Sequence, residues 1–122
     1  MEAHEMVKKS LGDLSECLRD SGFYALAQQT WVASRLSWER LGEPRLAQFR
    51  HHLVGFKFTH VHRVKQAIAL QHEITSTRTI YAIARELSAM LVTYLCELRK
   101  VLVPTEEIDA LIEDILEEMA IL

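Results

Sequence analysis

The residues best equipped for chemistry in this sequence are its six histidines, His4, His51, His52, His60, His62 and His72, because imidazole binds zinc and related ions and titrates near neutral pH. Spacing is the first test of a metal site. Two ligands on one helical face stand three or four residues apart, and no two of these histidines do. His60 and His62 would share a face only on a strand. No closely spaced cysteine pair and no His-Glu-x-x-His motif accompanies them, so the pattern predicts no metal site. Six added protons would carry the formal charge from −3 to about +3, but that is a generic property of surface histidines.

Nucleophilic chemistry finds less support. The sequence has no Gly-x-Ser-x-Gly elbow and no glycine-rich loop to cradle phosphates. Cys17 and Cys96 fall inside helical patterns with no base at hydrogen-bond spacing, and both read as small buried hydrophobes. The Arg50-His51-His52 run is too common a combination to mark a nuclease site. Carboxylates near the C-terminus occupy the exposed face of a helix, where nothing would raise a pKa for acid catalysis. These readings predict a protein that is not an enzyme, with no catalytic residue, no cofactor and no metal.

Charge is arranged more unusually than any motif. From Pro44 to His72 there is no Asp or Glu, while Arg45, Arg50, Lys57, Arg63, Lys65 and five histidines lie within that span. Residues 105–122 reverse this, with Glu106, Glu107, Asp109, Glu113, Asp114, Glu117 and Glu118 and no base. A basic segment of this kind can track phosphates, so Arg45, Arg50, Lys57, Arg63 and Lys65 are candidate nucleic-acid contacts. The net charge of −3 and pI near 6.1 oppose a polyanion unless the acidic helix faces away. The simpler expectation packs the acidic helix beside the basic segment, within one chain or across a dimer. On the acidic helix, Asp109 with Glu113, Glu113 with Glu117, and Asp114 with Glu118 are like-charge pairs four residues apart, and Glu117 and Glu118 sit at the wrong end of the helix dipole. Basic groups, internal or on a partner, are needed to compensate.

The elements that position these residues are helical. Four Gly and two Pro give too little punctuation for an all-β chain. Breaks at Ser21-Gly22, Gly42-Glu43-Pro44, Thr75-Ser76-Thr77 and Val103-Pro104-Thr105 predict five helical stretches, at about 2–20, 23–41, 45–74, 77–102 and from 105 onward. In the second, Tyr24, Trp31 and Trp38 stand seven apart, with Ala27, Ser34 and Leu41 three behind each, a seam of large against small. The third is ambiguous. Phe56 to Val64 is rich in β-formers and partly alternates, yet no second strand is visible to pair with it, so a helix kinked or interrupted near Gly55 is expected. The fourth opens after a Ser/Thr cluster suited to N-capping, and its apolar residues wrap more than one stripe, as a central helix would require. The fifth has Pro104 outside and Thr105 as N-cap.

At 122 residues the chain fits one helical domain spanning 1–122, long enough to bury a sizeable core. No apolar run approaches the length of a bilayer span, and residues 1–20 lack a secretory pattern. The two cysteines form no disulfide framework, so a reducing, cytoplasmic location is expected. The fold class predicted is an all-α single-domain bundle of about five helices, oligomeric in solution. Apolar stripes in excess of one core's needs predict a protein-binding role, as a regulator, inhibitor, antitoxin-like protein or adaptor, and as a homodimer. Tyr24, Trp31, Trp38, Ile112, Ile115 and Met119 are the candidate partner contacts. For the tryptophans the plain alternative is core packing.

Overall fold

In a computed structural model of the chain, residues 1–61 and 73–121 are described, with the backbone alone for residue 61 and for 73–80. Among the described residues the fold is all-α. Helix α1 spans Ala3–Asp20, α2 spans Tyr24–Ser34, and a single 3-10 turn covers Trp38–Arg40. Helix α3 spans Glu43–Phe56 and widens into a π-helical stretch at Lys57–Val61. Helix α4 spans Glu73–Arg99 and α5 spans Glu106–Ile121.

The end of α1 follows from one residue. Gly22 adopts φ of +88°, where a side chain would clash with the backbone. That turn lets Phe23 N–H reach the Leu18 carbonyl at 2.9 Å and Gly22 N–H reach Arg19 at 3.1 Å, the paired bonds of a Schellman termination. Phe23 then packs, half-buried, against the core. Reversal at this point brings α2 back along α1, where Ser15 Oγ donates to the Ala27 carbonyl at 2.7 Å.

Helix α2 stops at Ser34, short of the helix to 41 that the seven-residue spacing predicts. The cause is Trp38 itself. Its indole N–H donates to the Ala33 carbonyl at 2.7 Å, occupying an acceptor that a continuing helix would fill with backbone N–H. Arg35 and Leu36 tighten into three-residue bonds to Val32 and Ala33, and Trp38 folds into the core with no exposed surface. Gly42 is extended at φ −61°, ψ 147°, and its carbonyl accepts from Arg45 and Leu46 N–H to start α3, with Pro44 in the first turn.

The ambiguous third segment is helical as far as it is described. The α-to-π change after Phe56 falls beside Gly55, where a kink or interruption was expected, and Lys57–Val61 is not a strand. Aromatic and β-branched side chains crowd an α-helix, and Phe58, Thr59 and Val61 fall within the wider turn. Residues 62–64, at the end of the suspected strand, lie outside the described residues, as do Val64, Ala67 and Leu70. Helix α4 corrects the break expected at 75–77, since its described span runs unbroken from Glu73 through the Ser/Thr cluster. Ser and Thr cap only where the preceding chain leaves the helix. The Val103–Pro104 peptide is cis, and the Thr105 carbonyl accepts from Asp109 N–H at 2.8 Å, as an N-cap residue does.

Packing divides among three helices. Helix α1 lies against α2, α3 and the 3-10 turn; α5 lies against α4 and α2; α2 touches both groups. Val7, Leu11, Leu14 and Leu18 form the buried stripe of α1, and Leu87, Leu91, Leu95 and Leu98 that of α4. Phe49 of α3 joins them, stacked on Tyr94 with ring centroids 4.0 Å apart and tilted against Trp38 at 4.9 Å. Full burial of such side chains stabilises by about 1.5–3 kcal/mol each. Among the described residues no helix is long and apolar enough to cross a membrane.

Candidate functional site

The two charged segments end up in different circumstances. On the basic side, Arg45 forms a bidentate pair with Glu97 of α4, with Nε 2.9 and 2.8 Å from the two carboxylate oxygens and Nη2 2.7 Å from Oε2. Its guanidinium lies 4.5 Å from the Tyr94 ring centroid and also donates to Gln48. The hydrogen bonds to Glu97 raise the Arg45 pKa above its ordinary value. Burial raises that of Tyr94, whose hydroxyl lies 2.7 Å from His52 Nδ1. His60 Nε2 is 3.1 Å from Glu86 of α4. Of the candidate nucleic-acid contacts, Arg45 is therefore engaged inside the chain, Arg50 is exposed and Lys57 half-buried. Arg63 and Lys65 lie outside the described residues, as do His62 and His72.

The acidic helix is treated differently. Among the described residues it packs on α4 and α2, while residues 62–72 of the basic segment lie outside them. Apolar faces decide this, because Ile108, Leu111 and Ile115 form a stripe that needs burial, whereas an exposed ion pair adds only about 0–1 kcal/mol. Asp109 pairs with Arg99 and accepts from Thr105 Oγ1 at 2.9 Å. Those two bonds, Arg99 first, hold its carboxyl below the ordinary aspartate range. Among the described residues the other six acids of α5 have no ion-pair partner.

Four of those acids, Glu106, Glu107, Asp114 and Glu118, rim a trough between α2 and α5. Three open cavities follow one another along it, of about 300, 580 and 490 Å³. The first sets Tyr24, Leu26 and Gln29 near Ala84 and Ser88 of α4 and Glu118, the second sets Trp31 and Val32 near Ala110 and Asp114, and the third sets Arg35 and Leu36 near Leu102, Pro104, Glu106 and Glu107. As α2 ascends in number α5 descends, so the helices run antiparallel. Tyr24 is 71% and Trp31 45% exposed. The Arg35 guanidinium stacks on Trp31, 5.5 Å from its ring centroid.

Gln29 lies in the floor of this trough. It is 8% exposed and lines the first two cavities. Its Nε2 makes one long contact, 3.5 Å, to the Asp114 carbonyl, and its Oε1 is buried with no hydrogen-bond partner. A buried amide oxygen without a donor costs roughly 1–3 kcal/mol. Sequence reading overlooked Gln29, although Leu26, Gln29, Ala33 and Leu36 keep helical spacing and so place a polar residue on an apolar stripe.

The predicted partner contacts therefore separate. Tyr24 and Trp31 reach the surface together, while Trp38 and Ile115 have no exposed area and belong to the core. Ile112 and Met119 are half-buried against that core, and the neighbouring Leu116 is 49% exposed. Cys17 is buried, but Cys96 is exposed, contrary to its expected burial, and both are free thiols.

One further cluster stands at the N-terminus. Glu2, His4 and Glu5 bring one ligand atom each to within 4.8 Å of one another, with His4 Nδ1 3.3 Å from Glu2 and Nε2 3.9 Å from Glu5. A search for paired histidines passes over it. Both carboxylates are exposed. Compared with known proteins, the chain matches no family model, no curated protein and no solved structure.

Proposed function

We propose that this chain is a non-enzymatic, cytoplasmic regulator or adaptor that acts by binding another protein through the trough between α2 and α5. The observation that carries the reading is the juxtaposition of exposed Tyr24 and Trp31 with the orphaned Oε1 of Gln29. Large aromatic side chains left at a surface, beside a buried polar atom lacking its partner, are what an interface centre looks like before it is covered. Self-association as a homodimer belongs to the same reading, since the trough can be covered by a second copy or by a foreign protein.

Light scattering on the purified chain, its Tyr24→Ala/Trp31→Ala variant and its Arg50→Glu/Lys57→Glu variant is the test. A wild-type mass of about 28 kDa, twice the 14.1 kDa chain, is expected. A dimer that survives both sets of substitutions leaves the trough free for a foreign partner, and one that dissolves in the aromatic variant alone uses the trough itself. Association lost in the Arg50/Lys57 variant and retained in the aromatic one would place the contact on α3 and sink the assignment. The nucleic-acid alternative has less support because Arg45 is bound to Glu97. No shift of a mixed-sequence duplex at low salt would dispose of it.

A further inference from the structure

We infer that the occupant of the α2/α5 trough is a basic amphipathic helix of another protein, with an apolar stripe for the floor and cations for the α5 rim; this rests on the protein-binding reading above. Shape, charge and the buried amide each contribute to the inference.

Length comes first. From Glu107 to Glu118 the α5 wall rises about 16 Å at 1.5 Å per residue, and the eleven residues of α2 rise about as far. That accommodates three turns of a helix laid along the trough. The floor supplies Val32 and Leu111 beside the part-exposed ring of Trp31, which suits apolar anchors three and four residues apart.

Charge decides the partner's class. Glu107, Asp114 and Glu118 stand on the α5 wall at spacings of seven and four, close to two turns and one, so they form one rim. None of the three has an ion-pair partner among the described residues. The opposite wall offers a single cation, Arg35, which is stacked on Trp31. An acidic partner would face this rim at like charge, whereas Lys or Arg at matching spacings would also relieve the Asp114–Glu118 repulsion along α5. The described part of the chain's own basic segment does not fill this role, because α3 packs on α1 and ties Arg45 to α4. Gln29 adds a polar group in the floor, where a shift of its side chain would expose the buried Oε1 to a donor from the partner.

The test uses three synthetic peptides of about 18 residues, long enough for partial helicity alone. The first carries a Leu stripe with Lys on its other face, the second replaces every Lys by Glu, and the third has the Lys peptide's composition with the Leu stripe scrambled. Binding is measured by calorimetry against the full chain, a Glu107→Gln/Asp114→Asn/Glu118→Gln variant, Trp31→Ala, and an Asp13→Asn/Glu16→Gln control on α1. The Lys peptide is expected to bind one to one, at least about tenfold more tightly than either other peptide. The rim variant should lose about tenfold, Trp31→Ala should abolish binding, and the control should match wild type.

Equal binding of the Lys and Glu peptides, still dependent on Trp31, would overturn the basic partner and leave protein docking in place. Lys-peptide binding indifferent to both the rim and Trp31 substitutions would put the contact elsewhere and overturn the inference. A dimer that dissolves in Trp31→Ala would assign the trough to a second copy, again against the inference but not against protein binding. No binding by any peptide, with a monomeric chain, would remove both.

Discussion

The α3–α4 face and the α2–α5 face are built from similar residues and finished differently. On the first, Phe49 stacks on Tyr94 with Trp38 tilted against it, Arg45 lies over the Tyr94 ring and pairs with Glu97, and the Tyr94 hydroxyl meets His52. On the second, Trp31 and Tyr24 stand at the surface, the acids lack cations, and Gln29 Oε1 lacks a donor. Polar groups satisfied within the chain mark structure, and polar groups left unsatisfied beside exposed aromatics mark a surface awaiting a partner.

The two tryptophans give the sharpest contrast. Trp38→Ala should cost about 3–5 kcal/mol, by lost burial and a residual cavity, and should unfold the chain at much lower denaturant. Trp31→Ala should cost less than about 1 kcal/mol, the scale of one exposed cation–π contact. Urea melts of both variants check this, and equal losses would erase the distinction between the faces. Ile115→Ala, on the buried stripe of α5, is expected to cost about 2–5 kcal/mol. Stability, not association alone, is therefore what substitution at this position reports.

Smaller effects separate the polar groups. Gln29→Met should raise stability by about 1 kcal/mol, since it removes an oxygen that has no donor. A loss of stability would mean that Oε1 is satisfied after all. Tyr94→Phe should lower stability by about 1 kcal/mol through the bond to His52. The opposite signs of these two substitutions are the comparison of the faces reduced to single atoms.

The smallest effect concerns Asp109. Its pKa is depressed in the folded chain by Arg99 and then Thr105, so its contribution is present above the unfolded aspartate value and lost as pH falls through the folded one. Asp109→Asn should lower the melting temperature slightly at neutral pH, and the gap should close as the pH falls below about 4. A gap that widens in acid would contradict the assignment.

How much of this was legible in the sequence differs by element. The ends of α1 and α5 were, because Gly22, Pro104 and Thr105 act through local geometry. The seven-residue spacing of Tyr24, Trp31 and Trp38 was misleading, since a side-chain bond from Trp38 to Ala33 ends the helix and sends the third ring inward. Periodicity reports which residues could share a face, whereas long-range packing decides whether the helix continues. The charge segregation was plain to read, but not its resolution. The Arg45–Glu97 pair joins residues 52 apart, and apolar burial rather than charge chose the neighbours of α5. Gln29 was visible as a polar residue at an apolar position, though its missing partner was not.

Paired measurements of stability and peptide affinity on Trp31→Ala test the central claim most directly. A melting temperature close to wild type together with loss of Lys-peptide binding is expected. Retained binding in a folded Trp31→Ala chain would contradict it.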